Sequence, residues 1–236
     1  MFTQEKKTAL VTGASSGMGK AIARRLIKDG YQVYVAARNI EKMADLARLG
    51  AQPLRMDISR DEEIVSGVNT ILAQTGGVDV LVNNAGFGLY GPVEEIGIDE
   101  ARYQFEVNLF GAARLTQLLL PAMRARRSGR IINISSMGGK MYSILGAWYH
   151  ATKHALEGWS DCLRLEVAEF GIKVVIVEPG VIETGFGDAA NDSIVKRSAS
   201  GPYGHLVKRV SMSIKILMGR ALAVLQRSLL KWFPVQ

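Results

Sequence analysis

Short apolar segments rich in β-branched residues alternate with helical segments along residues 1–180. Six apolar runs predict strands at Thr8–Thr12, Gln32–Ala36, Gln52–Met56, Val78–Val82, Arg130–Ile134 and Lys173–Val177. The segments between them predict helices at Gly17–Asp29, Ile40–Leu49, Asp61–Thr75, Ile98–Arg127 and Tyr149–Phe170, the fourth of them irregular near Pro121. Strands of this kind separated by helices predict a parallel sheet covered on both faces. Right-handed crossovers then give a doubly wound α/β fold, in a single domain over residues 1–236.

Composition narrows the classes of protein to which the chain belongs. Its 236 residues carry a net charge of +7, which fits either an anionic partner such as a phosphate-rich cofactor or a solvated basic surface. No arginine-rich run interleaved with aromatic residues is present, so nucleic-acid binding is not predicted. The sequence shows neither a signal peptide nor an apolar run of about 18 residues, and it therefore predicts no transmembrane helix.

Cysteine usage indicates a reducing compartment. Cys162 is the only cysteine, so no disulfide can form within the chain. This fits a cytoplasmic location. Because Cys162 falls inside a helical pattern, we expect it to be a small buried residue of the core. No metal-binding cluster is predicted.

The first predicted strand leads directly into a glycine-rich turn, TGASSGMG, which is followed by a helix. Its spacing is GxxxGxG, with glycines at Gly13, Gly17 and Gly19. Glycines let a backbone turn tightly and approach a pyrophosphate, and the N–H groups at the start of the helix favour negative charge. Small residues in such a turn can also be purely structural. Its position after the first strand favours phosphate binding.

A set of motifs occurs in a fixed order along the chain. They are TGASSGMG, NNAG at Asn83–Gly86, Asn108 in VNLFG, ISS at Ile134–Ser136, YHATK at Tyr149–Lys153 and PG at Pro179–Gly180. As an ordered set over residues 6–187, they resemble the short-chain dehydrogenases/reductases, a Rossmann-fold family, and more narrowly its hydroxysteroid and retinol dehydrogenase-like oxidoreductases. The resemblance implies an enzyme that transfers hydride to or from a nicotinamide cofactor.

The resemblance also implies roles for individual residues. Ser136, which lies 13 positions before Tyr149, is the expected catalytic serine. Tyr149 would give a proton in reduction and take one in oxidation. Lys153 would hold the nicotinamide ribose and lower the pKa of Tyr149, since residues four apart share a helix face and an ammonium favours a phenolate. Asn108 would kink its helix and hold a relay water, and Thr184 would touch the nicotinamide carboxamide.

The end of the second strand predicts which cofactor is used. An NAD site would place an acidic residue there, but Ala37 is neutral and is followed by Arg38. An arginine can pair with a 2′-phosphate, so NADP(H) is predicted, with hydroxyl donors from Ser15 and Ser16 and with Asp57 near the adenine. A solvated arginine is the alternative. Further cofactor contacts are expected from Gly13, Gly17, Met18 and Gly19, from Asn84, Ala85 and Gly86, from Tyr149 and Lys153, and from Pro179 and Gly180.

The substrate side is mostly apolar. The segments after the fifth and sixth strands contribute Met137, Gly138, Met141, Tyr142, Ile144 and Leu145, and then Val181, Ile182 and Phe186. With Ser136 and Tyr149, the predicted substrate contacts are Met137, Met141 and Tyr142. A small lipophilic ketone, aldehyde or alcohol is favoured over a charged acid. The two methionines could equally fill gaps in a core.

The C-terminal region departs from the family pattern. Residues 181–212 predict a substrate lid, with Gly185–Gly204 as its mobile part. Lys215–Gly219 is a possible short strand. Residues 214–236 form an amphipathic tail, in which Arg220–Phe233 could lie weakly on an anionic membrane or pack against the body or a second subunit.

Several alternatives remain open. An NADP(H)-binding redox sensor without turnover, a 3-oxoacyl reductase and a membrane-peripheral lipid enzyme compete with the leading interpretation. Relatives pair their two long helices as homodimers or homotetramers. The apolar positions that could face such a partner, or belong to the core, are Leu156, Trp159, Leu163 and Val167.

Overall fold

A single parallel sheet organises the chain. The computed structural model describes residues 6–180, 182 and 185–218. The six strands are β1 (Thr8–Thr12), β2 (Gln32–Ala37), β3 (Gln52–Arg55), β4 (Val80–Asn83), β5 (Gly129–Ile134) and β6 (Ile172–Val177). They pair in the order β3-β2-β1-β4-β5-β6, and every pair is parallel. This confirms the predicted doubly wound fold.

Helices cover both faces of the sheet. They are α1 (Gly17–Lys28), α2 (Ala44–Arg48), α3 (Asp61–Thr75), α4 (Ile98–Phe105), α5 (Gly111–Arg126), α6 (Ala147–Val167), α7 (Gly185–Ser198) and α8 (Gly204–Met218). The strand order reverses between β1 and β4, because the chain first moves outward to β3 and then returns to the other side of β1. Such a reversal opens a crevice at the carboxyl ends of the two central strands, where ligands of this fold class bind.

The alternation of side chains along β1 divides the core into two layers. Leu10 belongs to the cluster that contains Leu163 and Val167 of α6, whereas Ala9 and Val11 belong to the cluster on the opposite face. Successive strand residues point to opposite faces, so both layers draw on the same short apolar strand. The stripe on α6 is core: Leu156, Leu163 and Val167 are buried, and the half-buried Trp159 packs against the cluster that contains Leu163 and Val167.

The predicted long helix over residues 98–127 is interrupted, though not at the proline. A π-helical turn at Glu106–Phe110 separates α4 from α5, and Pro121 lies inside α5. π-helical turns accommodate an extra residue in the helix and are frequent at functional sites. The turn contains Asn108, so the irregularity falls on a residue that the sequence identified for the site.

Two expectations from the sequence are wrong in this part of the chain. Lys215 to Met218 belong to α8 rather than to a strand. Cys162 is exposed, because it lies on the solvent side of α6 and not on the face that packs against the sheet. None of the helices in the described ranges combines the length and apolar character needed to cross a membrane.

Candidate active site

The glycine-rich turn after β1 packs too closely against its neighbours to carry side chains. A Cβ on Gly19 would lie 2.5 Å from the carbonyl oxygen of Gly13 and 2.4 Å from Nδ2 of Asn84. Gly13 and Gly17 have positive φ angles of 65° and 53°, which glycine adopts without strain. The turn therefore presents its backbone to the crevice, as a pyrophosphate cradle requires.

The turn after β4 holds the glycine-rich turn in place. Nδ2 of Asn84 donates to the carbonyl oxygen of Thr12 at 2.8 Å, and Oγ1 of Thr12 accepts from the backbone N–H groups of Asn84 and Ala85, each at 3.0 Å. The first of these contacts explains why an asparagine follows this strand, since it needs the side-chain amide of Asn84. The side chain of Asn84 thus braces the turn, and its predicted contact with the cofactor stays a prediction.

The start of α1 is suited to an anion. Ser16 is the N-cap but makes no capping hydrogen bond through its side chain, and the first turn, which includes Met18, contains no acidic residue. The unsatisfied N–H groups and the helix dipole therefore favour negative charge beside the turn. The N–H of Ala14 donates to the carbonyl oxygen of Ala36 at 3.3 Å, which joins the turn to the end of β2.

Arg38 stands where the cofactor prediction requires a cation. It follows Ala37, the last residue of β2, and it is exposed. Its Nη1 lies 3.5 Å from the hydroxyl of Tyr103, which leaves the guanidinium at the mouth of the crevice. No acidic residue occupies the position of Ala37, so the strand end lacks the acceptor that an NAD ribose would use.

Asp57 caps a turn beyond β3. Its Oδ1 accepts from the backbone N–H and the hydroxyl of Ser59, at 3.0 and 2.7 Å. Burial raises the pKa of the carboxyl, but the hydrogen bonds from Ser59 and the charges of Arg38 and Arg60 outweigh it and leave the pKa lowered. The carboxylate is therefore ionised and lies near Arg38, and its predicted role at an adenine is untested.

The end of β5 positions Ser136. This residue is the N-cap of a short 3₁₀ turn, Met137–Gly139, and its Oγ accepts from the N–H of Gly138 at 3.0 Å. The N–H of Met137 donates to the carbonyl oxygen of Pro179 at 3.0 Å, so the segment after β6 lies against this turn. A Cβ on Gly180 would be 3.7 Å from the sulfur of Met137.

Tyr149 lies near the start of α6, buried and hydrogen-bonded to Ser136. Its ring centre is 5.2 Å from that of Tyr90, which is half-buried. Burial raises the pKa of Tyr149 and the hydrogen bond to Ser136 lowers it, with a net increase. The pKa of Tyr149 is thus raised overall, because desolvation of the phenolate is the larger effect, and the expected influence of Lys153 on it stays a prediction.

Lys153 is buried one turn after Tyr149. Its Nζ donates to the carbonyl oxygen of Ile134 at 2.8 Å and lies 5.9 Å from the centre of the Tyr149 ring. Burial lowers the pKa of Lys153 to about 8, and the charge of Glu157 opposes that decrease. The structure thus brings the serine, the tyrosine and the lysine to the carboxyl end of β5, as the resemblance to the family implied.

Asn108 stands behind Lys153. Its Oδ1 accepts from the N–H of Phe87, and its Nδ2 donates to the carbonyl oxygen of Phe87 and to Oγ1 of Thr152, each at 3.0 Å. A Cβ on Gly86 would lie 3.1 Å from Oδ1 of Asn108 and 3.9 Å from Nζ of Lys153. The side-chain amide therefore joins the turn after β4 to α6, and the relay water remains a prediction.

His150 is a site residue that the sequence analysis missed. Its Nδ1 lies 2.8 Å from the carbonyl oxygen of Gly138 and its Nε2 lies 2.8 Å from Oγ of Ser143. Because a carbonyl only accepts, Nδ1 carries a hydrogen and donates it to Gly138, and Nε2 is hydrogen-bonded to the hydroxyl of Ser143. The buried ring therefore pins two points of the loop that follows Ser136. Its position within YHATK was the only signal.

The substrate-side residues of the loop after β5 differ in exposure. Met137, Met141 and Ile144 are exposed, Tyr142 is 86% exposed, and Leu145 is buried against Ile194 and Val207 of the last two helices. The methionines therefore do not fill a core. A cavity of about 450 Å³ lies beside this loop, lined by Gly91, Pro92, Val93, Glu94, Ser143, Ile144, Leu145, Ala147, Tyr203 and Leu206.

Some predicted site residues cannot be placed. Val181 and Thr184 lie outside the described residues, as does the tail from residue 219 onward. Gly185 and Phe186 begin α7, where the backbone is helical. The expected lid segment therefore contains two helices, α7 and α8, joined by a short turn.

The family comparison covers most of the chain. Residues 7–194 match the family profile described as short chain dehydrogenase. The matched region begins before β1 and ends inside α7, so it includes the glycine-rich turn, Asn108, Ser136, Tyr149 and Lys153.

Named relatives and solved structures agree with this match. A 3-ketodihydrosphingosine reductase of Bacteroides thetaiotaomicron is 41% identical over 78% of this chain and 67% of its own length. Retinol dehydrogenase 8 of Bos taurus is 37% identical over 76% of this chain and 60% of its own length. A crystal structure of an actinorhodin polyketide ketoreductase with NADPH superposes with a TM-score of 0.78 at 37% identity, over 94% of this chain and 87% of the other.

Proposed function

Because the chain belongs to the short chain dehydrogenase family, we propose that it is an NADP(H)-dependent oxidoreductase that interconverts a lipophilic ketone or aldehyde and its alcohol. The observation that carries the proposal is the convergence of Ser136, Tyr149 and Lys153 at the crevice end of β5. A protein that only sensed the cofactor would have no need of a serine and a tyrosine hydroxyl held together beside a buried ammonium. The structure therefore favours turnover over the redox-sensor alternative.

The residues present fit a phosphorylated dinucleotide. The backbone cradle at Gly13 and Gly19 has no room for side chains, the first turn of α1 has no acidic residue, and Arg38 follows the neutral Ala37. The polyketide ketoreductase with the same fold was crystallised with NADPH. These observations support NADP(H) as the cofactor, with Arg38 as the residue that pairs with the 2′-phosphate.

The cofactor supplies the hydride, and the chain supplies the proton and the geometry. In the reducing direction, the hydroxyls of Ser136 and Tyr149 donate hydrogen bonds to the carbonyl oxygen, where negative charge grows, and Tyr149 transfers its proton to that oxygen. Since burial raises its pKa, Tyr149 keeps this proton at neutral pH. The buried ammonium of Lys153 adds positive charge behind the phenol and favours the phenolate as it forms.

An apolar substrate fits the surroundings of the triad. Tyr90 lies against Tyr149 and packs with the cluster of Leu145, Ile194 and Val207. The neighbouring cavity of about 450 Å³ has mostly apolar lining and a volume within the usual range for small-molecule sites. One relative is named for 3-ketodihydrosphingosine and another for retinol, both of them lipophilic molecules. A 3-oxoacyl group remains the second candidate.

A substrate panel tests this function. Purified protein would be assayed with NADPH against long-chain ketones, retinoid aldehydes and 3-oxoacyl thioesters, and with NADP⁺ against the matching alcohols. We expect oxidation of NADPH with lipophilic carbonyls and loss of turnover by at least about a hundredfold in Tyr149→Phe, with NADPH affinity nearly unchanged. NADPH binding without turnover on any compound would contradict the proposal and favour the sensor.

The assembly and location of the protein also belong to this proposal. Ile98, Tyr103, Phe110 and Leu165 are exposed apolar side chains on α4, the π-helical turn and α6, and they favour a homodimer or homotetramer built through these helices. Light scattering after gel filtration would give the mass, and a monomer at micromolar concentration would contradict the assembly. We place the protein in the cytoplasm and assign residues 181–212 as the substrate lid. Residues 214–236 are proposed to contact an anionic membrane weakly. Liposome sedimentation of the protein with and without this tail tests that contact.

A further inference from the structure

A buried carboxylate lies one helical turn beyond Lys153. Glu157 follows Lys153 by four residues on α6, so Tyr149, Lys153 and Glu157 share one face of the helix. The side chain of Glu157 is only 5% exposed, and its Oε2 lies 2.9 Å from Nζ of Lys140. A carboxylate is rarely buried to this extent unless it is paired, and the pairing here joins two elements of the active site.

Lys140 connects three parts of the crevice. It directly follows the 3₁₀ turn that begins at Ser136, and its side chain is 53% exposed. Its Nζ is also 3.7 Å from Oε1 of Glu178, the residue before Pro179. The ammonium of Lys140 therefore links α6 to the segments that follow β5 and β6.

The space around Glu157 is filled. A Cβ on Gly139 would lie 2.8 Å from Cγ of Glu157, 3.0 Å from its Oε1 and 2.8 Å from Oγ of Ser135. The turn that carries Ser136 therefore rests directly on the aliphatic stem of Glu157. Within the described residues, neither carboxylate oxygen has a hydrogen bond of good geometry, so packing and the ion pair between Oε2 and Lys140 hold the carboxylate where it is.

The charges around Lys153 give this arrangement its consequence. The titratable groups near Lys153 on α6 are Tyr149, Glu157 and Asp161. Lys140 and Glu178 belong to other elements and lie at the outer end of this group. Burial alone lowers the pKa of Lys153, and Glu157 is the group whose charge raises it. Asp161 and Glu178 act on Lys140, at the outer end of the cluster.

We propose that Glu157, anchored by Lys140, is a positioning residue that keeps the buried Lys153 in its ammonium form beside Tyr149 and Ser136. Glu157 touches neither substrate nor cofactor in this scheme, and it acts through Lys153 and through the turn that rests on its stem. The inference rests on the proposed function, since an ammonium at this position matters only where a proton moves at Tyr149.

The test is the titration of Lys153 itself. The protein would be labelled with ¹³C-lysine, and the Cε resonance of Lys153 would be assigned by its loss in Lys153→Met. The midpoint of the pH titration of this resonance would then be measured by NMR. Glu157→Gln keeps the shape and removes the charge, and we expect the Lys153 midpoint to fall by about one pH unit. Glu166→Gln, on an exposed position of the same helix, is the matched control and should leave the midpoint unchanged.

A second variant covers the case in which Glu157→Gln fails to fold. Lys140 is half exposed, so Lys140→Gln keeps the packing beneath the turn. Because this change removes the cation that competes with Lys153 for Glu157, we expect the Lys153 midpoint to rise by about half a unit. Opposite directions in the two variants indicate an electrostatic role, which loosened packing would not produce. An unchanged midpoint in either variant, or a fall in Lys140→Gln, overturns the proposal.

The midpoint is measured without substrate, so it is separate from the question of turnover. If no carbonyl is reduced by the wild-type protein, the proposed function fails and the titration still reports on Glu157. If a substrate is found, the high-pH limb of kcat/KM should shift with the Lys153 midpoint in both variants. If the Lys153 midpoint moves and the high-pH decrease of kcat/KM does not, the role assigned to Glu157 is contradicted.

Discussion

At the scale of single residues, the site consists of groups that burial has moved away from their usual ionisation. Burial raises the pKa of Tyr149 and lowers that of Lys153 to about 8, so both side chains are pushed toward their neutral forms. The charge of Glu157 opposes this trend at Lys153. Opposing influences of this kind on adjacent groups are typical of sites that exchange protons.

Lys153 predicts an unusual dependence of stability on pH. Its pKa is about 8 in the folded chain, against a usual value of 10.5, so between these values the unfolded chain binds a proton that the folded chain does not. The contribution of Lys153 to the free energy of unfolding therefore increases as pH rises through this window. Below pH 8 both states are protonated, and the full destabilisation is present.

Lys153→Met tests this prediction. Between pH 8 and pH 10, the free energy of unfolding of the wild type should gain about 2 kcal/mol relative to the variant, as measured by urea denaturation. The window stops at pH 10 because Tyr149, whose pKa is raised from 10.0, destabilises the fold at higher pH as the unfolded chain loses its phenolic proton first. Lys173→Met, at an exposed position of β6, is the control, and equal pH dependence in both variants would contradict the prediction.

Gly19 predicts a steric effect on the cradle. A Cβ at this position would lie 2.5 Å from a backbone oxygen, so Gly19→Ala must displace the turn. We expect NADPH affinity, measured by fluorescence titration, to fall at least about tenfold and the fold to lose about 1–3 kcal/mol. Gly158→Ala is the matched control, because nothing lies within 4 Å of a Cβ there and α6 should gain about 0.5–1 kcal/mol. Unchanged affinity in Gly19→Ala would show that the turn does not cradle the cofactor.

At the scale of elements, the end of α7 is tied to the start of α4 and to the turn that precedes it. Arg197 donates to both carboxylate oxygens of Glu100 at 2.9 and 2.6 Å, and to the carbonyl oxygen of Glu95 at 3.2 Å. Ser198 donates to the carboxylate of Glu95. These bonds cross from the proposed lid to the start of α4, so they set how firmly the lid is held.

Loss of this connection should loosen α7. In Arg197→Gln we expect amide hydrogen exchange over residues 187–198 to become several-fold faster, while exchange in β1 and β5 stays as in the wild type. Arg102→Gln is the matched control, because Arg102 pairs with Asp99 nearby and both side chains are largely exposed. A pair of that kind contributes little to stability. Equal exchange rates in both variants would mean that the ion pair does not hold the lid.

At the scale of the whole molecule, the sequence pattern predicted the sheet and the order of elements, because both depend on local periodicity and on the rules for connecting parallel strands. The meeting of Ser136, Tyr149 and Lys153 was instead implied by the resemblance of their motifs to the short-chain dehydrogenases/reductases. The resemblance also implied an irregular helix at Asn108, where the π-helical turn lies. The exposure of Cys162 and the raised pKa of Tyr149 depend on how elements pack. No sequence period encodes them, because each results from contacts between residues that are distant in the chain.

Cofactor binding should stabilise the whole fold, since the cradle, Arg38 and the end of β5 lie on different strands of one sheet. A ligand at about a thousand times its Kd adds about 4 kcal/mol to the free energy of unfolding. If Arg38 pairs with the 2′-phosphate, NADPH should raise the Tm more than NADH does at the same concentration. The difference should be several degrees for a chain of this size.

In Arg38→Gln, the advantage of NADPH should shrink by at least about tenfold in affinity, or about 1.4 kcal/mol, while the effect of NADH stays constant. Arg48→Gln, at an exposed position of α2, is the control and should keep the full difference. Equal losses for both cofactors in Arg38→Gln would mean that the arginine supports the strand end and does not recognise the phosphate. The comparison of two cofactors within one variant separates recognition from stability, because any general weakening of the fold lowers both Tm values alike.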